Sequence, residues 1–105
     1  MRAARDFDPA DQSELEPFSF DFVNEIAAGD SIAPGSVPSF TAELVYGDDP
    51  DYASRVSGLP SVDGTVVSCY AGGFQPGCRY RLVATVVTTL EQRKTLFADV
   101  VGEKF

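Results

Sequence analysis

Residues 78–90, CRYRLVATVVTTL, constrain this chain most. Tyr80, Leu82, Ala84, Val86 and Thr88 fall on one face of a period-two pattern. The run of Val and Thr suits a central β-strand and not a helix. A short polar step, EQR, leads into KTLFADVV, residues 94–101, which returns beside it as a hairpin.

The rest of the chain repeats this logic. FSFDFV, 18–23, puts Phe18, Phe20 and Phe22 on one face of a strand and Ser19 and Asp21 on the other. These three phenylalanines, with Tyr80, are the expected structural core. SFTAELVY, 39–46, alternates in the same way. A further strand is expected around Ser54–Leu59, and TVVSCYA, 65–71, makes another. GDDPD at 47–51, Asp63-Gly64 and GGFQPG at 72–77 punctuate them as turns and loops. NEIAAG, 24–29, suits one helical turn with Asn24 as cap and Gly29 as stop. Pro34 and Pro38 keep 33–38 out of a central strand. No long 3.6-period segment competes with this pattern. The expected fold is therefore all-β, an immunoglobulin-like β-sandwich of six or seven strands. Tyr80, just inside a strand after a Pro-Gly turn, is placed to hydrogen-bond back to the preceding loop as a tyrosine corner; a core tyrosine with its hydroxyl at the rim is the alternative.

Residues 1–17 are polar, acidic and broken by Pro9 and Pro17. They read as an extended N-terminal arm ahead of a sandwich at 18–105. DPADQSE within the arm could make one helical turn, with Asp8 as N-cap and Pro9 at N1. With 105 residues the chain suits one domain able to bury a core without metals or crosslinks.

Chemistry is harder to find. The chain has no His, which removes Ser–His–Asp and Cys–His arrangements and the commonest metal ligand. No Gly-rich loop precedes a helix, and no Cys-x-x-Cys pair exists. The cluster Asp48, Asp49, Asp51 is the one place for a cation, but it lacks EF-hand spacing, Pro50 interrupts it, and a solvated Asp-rich turn is the preferred reading. Cys69 and Cys78 are expected as reduced, partly buried thiols, with pairing across a hairpin as the alternative. The expectation is a protein that is not an enzyme and needs no cofactor or metal.

Sixteen acids against eight scattered bases give a net charge of −8, which opposes a phosphate backbone, so nucleic acid is not an expected partner. The apolar runs are too short for a transmembrane helix, and MRAARDFDPA has no apolar core of a signal peptide. No membrane is expected, and synthesis in the cytoplasm is.

DFDPADQSELEPFSFDFVNEIAAGDSIA, 6–33, resembles the start of small virion proteins of tailed phages and prophages, the fibre–tail adaptor or head–tail region family. Its members open with an arm of the form F-x-P-K-D-P-x-E/A-x-L-D-Y, then F-D-W, a short turn and G-D/E-T/S-I. Phe7, Pro9, Asp11, Glu14 and Leu15 match the arm, Phe20-Asp21-Phe22 the strand, and Gly29-Asp30-Ser31-Ile32 the turn. PGCRYRLVATVVTT, 76–89, is similar to its G-x-x-Y-x-L-x-A-x-V-x-T strand, and TLFADVVGE to its closing strand. Phe22 stands where the family has Trp, the second Trp of its W-x-x-W segment is missing, and ADQ replaces K-D-P.

The resemblance implies a structural component of a virion, an adaptor joining head–tail or fibre parts. It implies partners among capsid, connector, tail or fibre proteins, and a multi-copy ring or vertex. The arm is the first interface candidate, through Phe7, Pro9, Asp11, Glu14 and Leu15; the alternative is that it lies flat on its own sandwich. A second function class is a binding module gripping a glycan or host surface through loop aromatics, for which Tyr52 and Phe74 are the candidates.

Overall fold

The structure is a computed structural model, and it describes residues 6–11, 14–35 and 37–103. The strands are β1 (Ala10–Asp11), β2 (Leu15–Asp21), β3 (Ser39–Tyr46), β4 (Val56–Asp63), β5 (Val66–Gly72), β6 (Arg79–Val87) and β7 (Arg93–Glu103), with a 3-10 turn at Tyr52–Arg55. The chain is all-β, with two three-stranded antiparallel sheets, β7-β6-β3 and β2-β5-β4. β1 is a two-residue addition, parallel to the end of β7, where Ala10 pairs with Gly102 and Asp11 with Glu103.

The alternation in the sequence decides what fills the space between the sheets. β6 contributes Tyr80, Leu82, Ala84 and Val86; β7 adds Leu96, Ala98 and Val100; β3 adds Phe40 and Ala42. The second sheet answers with Phe18 and Phe20 from β2, Phe22 just beyond its end, and Val67, Cys69 and Ala71 from β5. One buried cluster holds all of them. A fully buried Phe or Leu stabilises by roughly 1.5–3 kcal/mol relative to exposure, so this layer outweighs any single surface contact.

Several boundaries move from where sequence alone put them. The first long strand begins at Leu15 and not Phe18, so residues 15–17 are part of β2. Its three added residues pair with Gly72, Ala71 and Tyr70, which local pattern could not reveal. Residues 8–11 are extended, with no helical turn at Asp8–Pro9. The strand expected at Ser54–Leu59 starts at Val56, because Tyr52–Arg55 winds into the 3-10 turn, and it runs on to Asp63. β6 stops at Val87, and a turn that puts Glu91 at a φ of 63° leads into β7. Around 24–29 there is a turn, in which the Glu25 and Ile26 amides donate to the Phe22 carbonyl, and no regular helix.

Gly102 is required by close approach. A Cβ on Gly102 would sit 2.1 Å from the Gln75 carbonyl oxygen. The 74–77 loop therefore lies directly on β7, and the Gly77 amide donates to the Gly102 carbonyl across that contact.

Candidate functional site

Residues 6–10 are not free of the sandwich. The Phe7 amide donates to the Asp99 carbonyl at 3.0 Å. The Phe7 ring packs edge-on against Phe18, centroid to centroid 4.9 Å, and against Phe20 at 5.3 Å. Asp6 completes a charge chain on the outer face of the first sheet. Its Oδ1 accepts the Asp99 amide at 3.0 Å, and its Oδ2 takes Arg79 Nη2 at 3.2 Å. Asp99 Oδ2 accepts Arg79 Nε at 2.8 Å and its Oδ1 accepts Arg81 Nε at 2.9 Å. The Arg81 guanidinium lies 4.5 Å from the centre of the Phe97 ring. Asp99 is 97% covered, so two guanidinium groups and an aromatic plate shield it. Burial alone would raise the Asp99 carboxyl, but the Arg81 and Arg79 hydrogen bonds outweigh burial and hold it below its usual value.

The five arm candidates therefore separate. Phe7 faces its own core and is not an exposed docking ring; edge-on contacts with two strand phenylalanines are the reason. Asp11 lies with its backbone on β7. Pro9, Glu14 and Leu15 are exposed. Leu15 is 60% exposed and belongs to the outward-facing series of β2 with Pro17. Pro17 pairs in register with Tyr70 of β5, itself 55% exposed. Leu15, Pro17 and Tyr70 thus form an apolar patch on the outer face of the second sheet. Tyr70 was readable as outward, since it is out of phase with Val67, Cys69 and Ala71; the neighbourhood that joins it to Pro17 was not.

The loop candidates separate too. Tyr52 is exposed at the start of the 3-10 turn. Phe74 is not a loop tip: it is fully buried, its ring 5.7 Å from Phe18 and 4.9 Å from Tyr80. The GGFQPG loop folds inward because Phe74 is the plug between the sheets at that end, and the close approach at Gly102 keeps it there.

The Asp48–Asp51 turn carries a side-chain network. Asp49 is buried, and its Oδ2 accepts Tyr80 Oη at 2.6 Å and Arg55 Nε at 2.9 Å, while Oδ1 accepts Arg55 Nη2 at 2.8 Å. The Asp51 amide also donates to Oδ1, at 3.1 Å. Tyr80 Oη in turn accepts the Gln75 amide at 2.8 Å, five residues upstream. One aspartate thus ties the β3–β4 connection to the loop before β6. The Arg55 hydrogen bonds lead in holding the Asp49 carboxyl down at about 2, against the opposing pull of burial. Burial, then the Asp49 hydrogen bond, push the Tyr80 hydroxyl up. Among the described residues no group of three or more His, Cys, Asp or Glu could hold a metal. Cys69 and Cys78 are both free and buried, and burial raises the Cys69 thiol.

Asp30, of the Gly29-Asp30-Ser31-Ile32 stretch, works at the other end of the molecule. Its Oδ1 accepts the Thr89 hydroxyl, the Ser31 amide at 2.7 Å and the Leu90 amide at 3.3 Å, and Ile32 bridges to Thr88. The motif clamps the 30–32 segment on the β6–β7 turn. Burial pushes the Asp30 carboxyl up, but the hydrogen bonds, Thr89 first, win and bring it to about 2.

These carboxyls fix the acid response. Asp49 and Asp30 titrate near 3.8 when unfolded and about 2 when folded. Between those values the unfolded chain holds more protons, so their stabilisation is whole above about pH 4 and is lost as pH falls through about 2. Asp49 alone accounts for on the order of 2 kcal/mol. Urea midpoints measured from pH 5 down to pH 2 should fall steeply, and Asp49→Asn should flatten the fall.

Among the described residues no helix is long and apolar enough to cross a membrane. No family model matches the chain, and no curated protein or solved structure does either.

Proposed function

We propose that this protein is a non-enzymatic structural component of a phage virion, an adaptor that joins head–tail or fibre parts through protein–protein contacts. The reading rests on the motif resemblance at 6–33 and 76–89. The observation that carries it furthest is the apolar patch of Leu15, Pro17 and Tyr70 on the outer face of the β2-β5-β4 sheet. An exposed apolar patch of this kind on an acidic chain suits a protein partner. Of the five residues first expected to carry that contact, Leu15 is then the centre, with the exposed Glu14 next to it in the chain, while Phe7 packs inward on Phe18 and Phe20.

The immunoglobulin-like assignment belongs to the same proposal. Strand order β2-β5-β4 against β7-β6-β3 has the connectivity of the B-E-D and G-F-C sheets of that fold, and the Gln75–Tyr80 hydrogen bond has the form of a tyrosine corner. The loop-grip alternative loses one of its two aromatics, because Phe74 is internal.

Quantitative mass spectrometry of purified particles from the source organism tests the adaptor reading. A fixed ratio to the major capsid protein, equivalent to a multiple of about six copies per particle, is the expected result. Loss of the protein from particles on Leu15→Asp, with the fold intact, places the contact at the patch. Absence of the unmodified protein from intact particles would remove the reading.

A further inference from the structure

The sheets end in edges of very unequal protection. β2 carries Pro17, and β4 carries Pro60 and a break in register between Ser57 and Ser61. Proline and irregular backbone are the usual means of keeping an edge from pairing with another chain. The far edge of β7 is occupied by β1 and by the Phe7 amide. β3, at the end of the first sheet, is protected less: its one irregularity is a register shift between Leu44 and Tyr46, at its far end. It runs in unbroken register with β6 from Ser39 to Leu44, contains no Pro, and among the described residues no backbone hydrogen bond reaches its outer side.

Three further features say what pairs with it. The strand carries a single charge, Glu43, which sits opposite Arg81 of β6, so the edge is locally neutral although the chain is at −8. Both ends of β3 expose apolar side chains. Val37, just before it, is 72% exposed, and Val45 and Tyr46, at its far end, are 46% and 69% exposed. Beside Val37 and Pro38 an apolar cavity of about 480 Å³ opens, bounded also by Ile32, Pro60 and Val62. An edge that is neutral in its middle and apolar at both ends is complementary to itself turned end for end.

We propose that two copies of this chain pair antiparallel through β3 about a two-fold axis, making one six-stranded sheet of the two β7-β6-β3 sheets. Such an interface is isologous, so each contact occurs twice. Centred on Ala42, the pairing sets Thr41 opposite the second copy's Glu43 and Phe40 opposite its Leu44. No like charges face each other. The Val45–Tyr46 end of each copy falls beside the Val37–Pro38 end of the other, at the mouth of the cavity, and covers it. The inference stands on the sheet edges and is independent of the virion reading, since a protein absent from particles would still dimerise.

Sedimentation velocity from low micromolar to several hundred micromolar protein tests it, on the unmodified chain, Thr41→Glu and Thr41→Lys. Thr41 is exposed, and circular dichroism checks that both variants fold. The unmodified chain should dimerise. Thr41→Glu sets two like-charge pairs across the axis and should weaken the dimer by about tenfold, whereas Thr41→Lys, facing Glu43, should leave it intact or tighten it. A monomer at every concentration would overturn the proposal and leave the edge to a strand of another protein. A dimer insensitive to both changes, or weakened equally by both, would overturn it as well.

Discussion

Asp49→Ala should cost the fold on the order of 2–4 kcal/mol, read as a lower urea midpoint at unchanged slope. Asp49 accepts from Arg55 twice and from Tyr80 once, and it is nearly fully covered. Its removal leaves a largely covered guanidinium without its counter-charge and a buried hydroxyl without its acceptor. Both groups then bear desolvation with nothing to offset it. The chain's total stability is expected at about 5–15 kcal/mol, so the loss is a large share. Removing the cation as well should return part of it: Asp49→Ala with Arg55→Ala should be less destabilised than the sum of the two single changes. Additive losses, or a single-variant loss under about 0.5 kcal/mol, would mean that the turn is solvated and the network does not form.

Phe74→Ala should be worse, by about 3–5 kcal/mol, because it opens a cavity between Phe18 and Tyr80. Surface substitutions in loops generally change stability by under about 0.5 kcal/mol, so the same variant separates a buried plug from an exposed binding tip. Thermal unfolding followed by circular dichroism gives the answer. Tyr52→Ala is the matched control: the side chain is exposed in the neighbouring turn and should unfold at nearly the unmodified temperature.

Phe74 also illustrates what a sequence withholds. GGFQPG has every mark of a solvent loop, three glycines and a proline around one aromatic. Its burial depends on Gly102, 28 positions away, being small enough for the loop to lie on β7. No local pattern carries that information. The same holds for Asp6, whose partners Arg79 and Asp99 come from the other end of the chain. By contrast the all-β class and the Phe18–Phe20–Phe22 and Tyr80–Val86 faces were plain in the alternation, because burial on one side of a sheet imposes period two directly. The Asp48–Asp51 cluster was visible as a group of acids. Its chemistry was not: the deciding partner, Arg55, lies in a 3-10 turn where an extended strand was expected.

The N-terminal segment shows how the two kinds of information combine. A Pro-broken acidic stretch without its own apolar periodicity reads as a tail. The single apolar residue that reverses this is Phe7. Its ring packs on Phe18 and Phe20 of β2 while its amide bonds to β7. Which residues of β2 face outward follows from its register on β5.

Amide hydrogen exchange followed by NMR on the isolated protein tests this anchoring most directly. The Phe7 amide, bonded to the Asp99 carbonyl, should exchange as slowly as amides near the end of β7, and Phe7→Ala should release it together with Asp99. Exchange of Phe7 at the rate of an unstructured peptide, with β6 and β7 fully protected, would contradict it and return residues 6–11 to the state of a free arm.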